Sequence, residues 1–281
     1  MRYLIVKRSD KISKKVSELI INKCTDYKFT YISENEALSL KDNDKIDIVF
    51  SIGGDGTFLR SVHYFHKFNP LFININTGTF GYLCEFKIDE IDEIFPRLFQ
   101  RSINFKEVSL LRLDNYKFNE DANNFSLVDS YFALNEFRIA SINEATVKFD
   151  IYIDDTFFEC LRGDGCVISS SLGSSGITKS LKGALVDNEI EMLEFVENAP
   201  IFNKKYHSIS SPFVLNKDKE FKLTNFFHHS FNVYYDCESL RISNFDKNDY
   251  ISIYLDKNNK IKILTNPKTN YIEKTREMFL N

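Results

Sequence analysis

The spacing of hydrophobic and polar positions changes character along this chain. In its first third, short apolar runs alternate with segments of helical periodicity. The apolar runs are Tyr3 to Val6, Lys28 to Ile32, Ile46 to Ile52 and Leu71 to Ile75. Near-continuous apolar strands that alternate with helices are typical of a parallel sheet covered on both faces. We therefore predict an α/β N-terminal domain with a Rossmann-like parallel sheet over residues 1–100.

Three segments of this first domain have the pattern of helices. Asp10 is placed to cap a helix whose apolar positions form one stripe. That stripe consists of Ile12, Val16, Leu19 and Ile20. A second helix is expected after Gly56. The segment from Asp89 to Arg101 is also helical in pattern, and Pro96 within it predicts a kink or a late start.

Beyond residue 100 the pattern changes to one dominated by strands. The clearest are Ser109 to Leu113, Ser130 to Ile139, Val147 to Ile153, Phe231 to Tyr235, and Ile251 to Leu255. Turn signals at Asp154-Asp155 and over residues 256–259 separate them. Helices are expected at Gly173 to Leu185 and at Glu189 to Glu197. We predict a β-rich, β-sandwich-like domain over residues 101–264, then a helix in residues 265–281 that packs back on the first domain.

Composition excludes several classes of protein. The 281 residues carry a formal net charge of −4, which lacks the basic footprint of a nucleic-acid binder. The five cysteines are scattered and odd in number, which disfavours a disulfide framework or a structural zinc site. We see no signal-peptide pattern and no apolar run long enough to span a bilayer. The sequence therefore predicts a cytoplasmic protein that binds neither nucleic acid nor membrane.

The strongest candidate for chemistry is the turn Ser51-Ile52-Gly53-Gly54-Asp55-Gly56-Thr57, between an apolar strand and a helix start. Glycines let backbone N–H groups approach a phosphate, and a helix start adds free donors. The Asp55 carboxylate would repel a phosphate unless a cation or a hydroxyl lies between them. Two interpretations have about equal weight for this turn alone. Asp55 is either a metal contact or base in phosphate chemistry, or simply the N-cap of the helix.

Three further clusters of glycine and polar residues follow strands. Asn76 to Leu83 leaves the fourth strand, where an open α/β sheet binds ligands. The Asn135-Glu136 pair lies inside a strand pattern and needs partners if buried, although Asn143-Glu144 is a nearby alternative. Arg162-Gly163-Asp164-Gly165 leads into the serine-rich stretch Ser169 to Ile177. Each could be an ordinary loop, but four such turns in one chain favour one shared nucleotide site.

In order and spacing, these motifs resemble those of the NAD kinase family, from about residue 46 to about residue 240. The family's Gly-Gly-Asp-Gly-Thr motif is Gly53 to Thr57, and its Asn-x-Gly-x-Leu-Gly-Phe-Leu stretch is similar to Asn76 to Leu83, with Phe80 and Tyr82 as mild changes. Its Ala-Leu-Asn-Glu strand is Ala133 to Glu136. Its Asp-Gly-x-x-x-Ser-Thr-Pro-x-Gly-Ser-Thr-Ala-Tyr stretch is similar to Asp164 to Ile177.

The resemblance implies a role for each matched position. Asp55 would engage the 2′-hydroxyl of NAD and act as the base, and Gly53, Gly54, Gly56 and Thr57 would bind phosphate. The remaining NAD-binding positions are Gly56, Arg60, Asn135, Glu136, Arg162, Asp164, Ser175, Gly176, Ser180 and Ala199, and Asp236 falls near another. None of these positions is assigned to a resident metal.

Three positions depart from the family pattern. The tyrosine that follows Ser-Thr-Ala is Ile177 here, so ring stacking at that place is lost. The family's proline is Ser171, and the first glycine of a later Gly-Gly pair is Lys182.

The resemblance implies transfer of a phosphoryl group from ATP, or from polyphosphate, to NAD, with Mg²⁺ as the divalent cation that accompanies ATP. It also implies a homodimer or homotetramer. Two alternatives stay open at this point. A lipid kinase of the diacylglycerol or sphingosine type shares the glycine turn, and a catalytically silent nucleotide sensor would fit the loss at Ile177.

Overall fold

The described residues group into two compact units. The structure is a computed structural model, and it describes residues 1–41, 44–79, 81–99, 103–142 and 145–280. The first unit comprises residues 1–108 and 259–281, and the second comprises residues 109–258. Asn143, Glu144, Phe80 and the end of the helix expected up to Arg101 lie outside the described residues.

The first unit contains a parallel sheet with strand order β2-β1-β3-β4. Its strands are β1 (Arg2–Lys7), β2 (Thr30–Ile32), β3 (Ile48–Gly53), β4 (Leu71–Asn76) and β5 (Phe86–Lys87), which pairs with β4. Its helices are α1 (Lys11–Asp26), α2 (Glu34–Leu38), α3 (Asp55–Phe65) and α4 (Ile91–Leu98), with 3₁₀ turns at His66–Phe68 and Ile88–Glu90. The side chains of β3 are buried throughout, as expected for a strand with both faces covered.

Helix α1 buries a face that only partly matches the predicted apolar stripe, since Val16 and Ile20 are buried as expected. Asp10 caps the helix as expected, because its side chain accepts hydrogen bonds from the backbone N–H groups of Ile12 and Ser13. Ile12 is 50% exposed and Leu19 is 41% exposed, so the predicted stripe is wrong at these two positions. The buried face consists of Ser13, Val16, Ser17, Ile20 and Cys24. The two buried serines are bonded: Ser13 Oγ lies 2.7 Å from Thr77 Oγ1, just after β4, and Ser17 Oγ donates to the carbonyl oxygen of Lys14 in its own helix.

The second unit is a β-sandwich whose two layers enclose one hydrophobic core. Its strands are β6 (Phe105–Asn119), β7 (Asn124–Ala133), β8 (Glu136–Ala140), β9 (Val147–Ile153), β10 (Thr156–Gly163), β11 (Gly165–Ser169), β12 (Met192–Asn198), β13 (Phe213–Asn216), β14 (Glu220–Thr224), β15 (Phe231–Tyr235), β16 (Glu238–Ile242) and β17 (Tyr250–Leu264). One layer is antiparallel with order β13-β12-β11-β8-β15-β16, and the other contains β10-β9-β14-β17 with β6 and β7. Phenylalanines from both layers fill the core, among them Phe137, Phe149 and Phe221.

Strand β17 continues beyond the second unit. Its last residues, Lys262 and Ile263, pair in parallel with Leu71 and Phe72 of β4. The turn expected over residues 256–259 is therefore wrong, since the strand runs through it. Helix α6 (Tyr271–Phe279) then completes the first unit.

Three other expectations for the second unit are wrong. The strand predicted from Ser130 to Ile139 is broken between β7 and β8, at Leu134 and Asn135. The helix predicted from Gly173 to Leu185 is only a 3₁₀ turn, Leu172–Ser175, and the short helix α5 (Ile177–Ser180). The helix predicted at Glu189 to Glu197 is largely strand β12. Among the residues that the structure describes, no helix is both long and apolar enough to cross a membrane.

Candidate functional site

The glycine turn after β3 leads directly into helix α3, and Asp55 is the first residue of that helix. Gly54 takes the N-cap position, and its carbonyl oxygen accepts hydrogen bonds from the N–H groups of Thr57 and Phe58 at 3.0 and 3.2 Å. The Asp55 side chain does not cap the helix. The alternative in which Asp55 is simply the N-cap of the helix is therefore wrong.

The Asp55 carboxylate is held by two successive backbone amides. Tyr82 N donates to Oδ2 at 2.9 Å, and Leu83 N donates to Oδ1 at 2.8 Å. We call this arrangement the Asp55 clamp. Burial raises the pKa of Asp55, while the two amide donors and the charge of Lys274 oppose that rise. Oδ1 also lies 3.9 Å from the Cys84 thiol, whereas Oδ2 accepts only the Tyr82 bond among the described residues and keeps a second lone pair for another donor.

The residues around Asp55 differ in how much space they leave. A Cβ at Gly53 would lie 2.2 Å from Thr57 Oγ1, so packing against Thr57 requires a glycine there. A Cβ at Gly56 would meet no described atom within 4 Å, and Gly56 is exposed. Arg60 donates through Nη2 to the carbonyl oxygen of Lys7 at 3.0 Å. The open side of the turn is therefore at Gly56.

Helix α6 contacts the segment that forms the Asp55 clamp, and sequence analysis missed this role. Tyr82 Oη lies 3.0 Å from Thr275 Oγ1, and the Tyr82 ring packs against Tyr271 and Phe279. Tyr271, Thr275 and Phe279 are spaced four residues apart and so share one face of the helix. This spacing is the sequence signal that could have indicated the contact. An open cleft of about 540 Å³ lies between α6 and the loop after β4. Its lining includes Asn76, Thr77, Cys84 and Lys274.

In the second unit, the strand break at Leu134 and Asn135 is also held by a carboxylate. Leu134 N donates to Asp236 Oδ2 at 2.7 Å, and Asn135 N donates to Oδ1 at 2.8 Å. We call this arrangement the Asp236 clamp. Asp236 lies in the turn between β15 and β16 with φ +47°. Burial raises its pKa to about 6, against the effect of its amide donors.

Beside the Asp236 clamp, two side chains each have one buried polar atom without a partner among the described residues. Asn135 Oδ1 and Glu136 Oε2 are buried with no hydrogen-bond partner among the described residues. A buried polar atom without a partner is costly, which favours a ligand that supplies one. Burial and the nearby charge of Asp236 raise the pKa of Glu136 to about 8. A Cβ at Gly176 would lie 3.2 Å from Glu136 Oε2, so Gly176 borders these groups directly.

The serine-rich segment packs against the same strand break. Ser170 N donates to the carbonyl oxygen of Asn135 at 2.9 Å, and Ser170 Oγ donates to that of Leu134 at 2.6 Å. Ser175 Oγ donates within its own turn to the carbonyl oxygen of Leu172 at 3.2 Å. Ser180 is exposed at the end of α5, beyond Ile177. The structure thus brings Asn135, Glu136 and Gly176 together and leaves Ser180 at the surface.

Arg162, Asp164 and Ala199 form a second group in this unit. Asp164 N donates to the carbonyl oxygen of Asn198 at 3.0 Å, and a Cβ at Gly163 would lie 2.6 Å from the carbonyl oxygen of Ala199. Arg162 Nη1 donates to Tyr206 Oη at 3.1 Å. Ala199 and Asp164 are exposed, and Ala199 has φ +44°.

Lys182 has φ +66°, in the left-handed region that favours glycine. Its backbone thus keeps the conformation expected of the glycine that it replaces in the family pattern.

Comparison with known proteins agrees with the motifs. Residues 5–103 match the model of the ATP-NAD kinase N-terminal domain. The chain is 30% identical to an NAD kinase of Staphylococcus epidermidis over 252 residues, which covers 89% of this chain and 88% of that protein. It is 31% identical to NAD kinase 1 of Oceanobacillus iheyensis over 219 residues, 77% of this chain and 76% of that protein.

Two solved structures share the fold over nearly the whole chain. Yeast NADH kinase complexed with NADH superposes with a TM-score of 0.79 at 17% identity, covering 99% of this chain and 87% of that one. An NAD kinase from Archaeoglobus fulgidus in complex with ATP superposes with a TM-score of 0.73 at 21% identity, covering 99% of both chains. The fold class predicted from the sequence is thereby confirmed, and the sequence relatives confirm the resemblance: the chain belongs to the NAD kinase family.

Proposed function

We propose that this kinase transfers the γ-phosphoryl group of ATP to the 2′-hydroxyl of the adenosine ribose of NAD, giving NADP and ADP. The observation that carries the proposal is the Asp55 clamp beside the open position at Gly56. A carboxylate fixed at both oxygens, with lone pairs left over, is suited to accept a proton from a hydroxyl group.

In the proposed reaction Asp55 takes the proton of the 2′-hydroxyl as that oxygen attacks the γ-phosphorus. The bond from the γ-phosphorus to the bridging oxygen breaks, and ADP leaves with the electron pair. Catalysis of this kind rests on positioning and on charge neutralisation. The clamp supports the first requirement because two backbone amides fix the orientation of the carboxylate.

The second unit supports binding of the nucleotide by its own unsatisfied groups. Asn135 Oδ1 needs a donor such as an adenine amino group or a ribose hydroxyl. Because the pKa of Glu136 is about 8, its carboxyl is largely protonated at neutral pH and can donate as well as accept. The other proposed NAD contacts are Gly56, Arg60, Arg162, Asp164, Ser175, Gly176, Ser180 and Ala199.

The phosphates are proposed to bind at the turn formed by Gly53, Gly54, Gly56 and Thr57, where α3 begins. A helix start favours anions through its free N–H donors and its dipole. The described residues contain no group of three or more His, Cys, Asp or Glu side chains able to hold a metal ion. Mg²⁺ is proposed to arrive bound to ATP, since this ion is commonly held by substrate phosphates.

The assembly and location of the protein are proposed from the family. A homodimer or homotetramer would be visible by light scattering on a sizing column. A cytoplasmic location is in keeping with Cys24, Cys84, Cys160 and Cys166, which are thiols rather than disulfides. Polyphosphate remains a second candidate donor, and NADH a second candidate acceptor.

The test is turnover by the purified protein with NAD, ATP and Mg²⁺, read as NADP through an NADP-specific dehydrogenase. Parallel reactions replace ATP with polyphosphate and NAD with NADH. Formation of NADP in the complete reaction supports the proposal. The proposed activity would be contradicted by labelling of a lipid without NADP formation, or by NAD binding without any turnover.

A further inference from the structure

Helix α6 contacts the segment that forms the Asp55 clamp through two neighbouring side chains, Lys274 and Thr275. Lys274 Nζ donates to the carbonyl oxygen of Cys84, and Thr275 bonds the Tyr82 hydroxyl at 3.0 Å. Residues 82–84 are therefore held from one side by α6, and their first two amides hold Asp55 from the other. A carbonyl that is fixed by a charged donor restricts the backbone on both sides of it.

We propose that Lys274 is a positioning residue for Asp55, acting through the backbone of residues 82–84. This inference rests on the proposed function, because it names what holds the proposed base in place. The fixed Cys84 carbonyl keeps the amides of Tyr82 and Leu83 directed at the carboxylate. The ammonium group also adds a positive charge near Asp55, and that charge favours the ionised form that accepts a proton.

The surroundings of Lys274 are consistent with a structural cation held at a fixed place. Four titratable groups face it: Asp55, Cys84, Glu85 and Lys106. Glu85 is buried, and its Oε1 accepts from Lys106 Nζ at 2.7 Å. Burial lowers the pKa of Lys274, while Glu85, Cys84 and Asp55 counter that effect. Glu85 is thus paired with Lys106, whereas Lys274 donates to the Cys84 carbonyl oxygen of the clamp segment.

Tyr82 supplies a second, independent reason to assign this role to α6. The family pattern has phenylalanine at this position, and the additional hydroxyl of this chain bonds to Thr275. The Tyr82 ring is also 5.8 Å from that of Tyr271 and 5.5 Å from that of Phe279, measured between ring centroids. The contact between α6 and the clamp is therefore built from aromatic packing, a hydroxyl pair and a charged donor together.

The kinetic test compares Lys274→Met, Lys274→Arg and a matched control, Arg276→Met, which removes an exposed cation from the same helix. Lys274→Met should lower kcat about tenfold or more with little change in KM for NAD, because positioning of the base acts on the chemical step. In the pH profile of kcat for Lys274→Met, the loss of activity at low pH should begin at a higher pH than in the wild type. Lys274→Arg should restore most of the activity, and Arg276→Met should match the wild type.

A second measurement does not depend on turnover. Hydrogen exchange followed by mass spectrometry should show faster exchange in a peptide covering residues 81–86 of Lys274→Met, but not of Arg276→Met. If the wild-type protein forms no NADP, the proposed function fails while exchange still decides whether Lys274 holds the clamp. Wild-type kcat, pH profile and exchange in a folded Lys274→Met variant would overturn the inference.

Discussion

The Asp55 and Asp236 clamps use the same local geometry in two different units. In each, one carboxylate accepts hydrogen bonds from two successive backbone amides, one at each oxygen, over distances of 2.7 to 2.9 Å. In each, burial raises the pKa of the carboxyl group. The difference lies in what stands beside the carboxylate.

The residue beside Asp55 is Gly56, which is exposed and has no described atom within 4 Å of an added Cβ. The neighbours of Asp236 are the amides of the strand break that directs Asn135 and Glu136. The same arrangement thus fixes the proposed reacting group in one unit and a pair of proposed binding groups in the other.

The largest expected effect is that of Asp55→Asn. Loss of a general base should lower kcat by roughly 10²–10⁴-fold, while NAD still binds. Steady-state NADP formation and calorimetric titration with NAD measure the two quantities. Asp89→Asn, at an exposed acid of the same unit, serves as the control. Asp55→Asn with wild-type kcat would remove the chemical role of the clamp.

Asp236→Asn should act on binding and stability instead. An amide side chain keeps one acceptor, so one amide of the strand break loses its partner, at a cost of roughly 1–3 kcal/mol in the free energy of unfolding. KM for NAD should rise more than kcat falls. Urea unfolding and kinetics test this together. A loss of kcat as large as that of Asp55→Asn would erase the distinction between the clamps.

Glu136→Gln should flatten the pH dependence of stability. The pKa of Glu136 is about 8 in the folded protein and near 4.5 in the unfolded chain. Between these values the folded state retains a proton that the unfolded state has released, so stability falls as pH rises from about 4.5 to about 8. Urea unfolding at several pH values should show this fall for the wild type and a smaller one for the variant. If the free energy of unfolding fell equally with pH in the wild type and in Glu136→Gln, the prediction would be wrong.

Gly56→Ala should have the smallest effect on the fold. With no described atom within 4 Å of the added Cβ, the substitution should leave stability unchanged or raise it by about 0.5–1 kcal/mol. KM for a substrate should rise because the methyl group occupies the open side of the turn. Gly176→Ala provides the comparison, since its Cβ lies 3.2 Å from Glu136 Oε2. A destabilised Gly56→Ala protein would show that the turn is closed.

The sequence predicted the fold class well because its strongest signals are local. The apolar runs of β1, β3 and β4, which alternate with helical segments, are typical of strands in a covered parallel sheet. Strand β12 was misread for a physical reason. Glu191, Glu194 and Glu197 recur every three residues, like the polar face of a helix, yet Glu194 and Glu197 are buried. Their carboxylates accept hydrogen bonds from distant segments, which local spacing does not reveal.

The sequence draws attention to the proposed site residues but not to the groups that hold them in place. Asp55, Asn135 and Glu136 stand out because glycines or apolar residues surround them. The groups that hold these side chains are backbone amides. Every residue except proline has one, so the sequence does not show which amides take this role. Lys274 was missed because its partner is a carbonyl oxygen 190 residues away.

The contact between Tyr82 and Thr275 has a consequence for how the protein is made. It joins residues separated by 193 positions, so it cannot form until the ribosome has released the segment around Thr275. Local contacts form early in folding, and distant ones form late. A chain that stalls before this point would contain the whole glycine turn and yet lack the contact between α6 and the Asp55 clamp. Helix α6 therefore delays the assembly of the proposed reacting group until residues 271–279 have been synthesised.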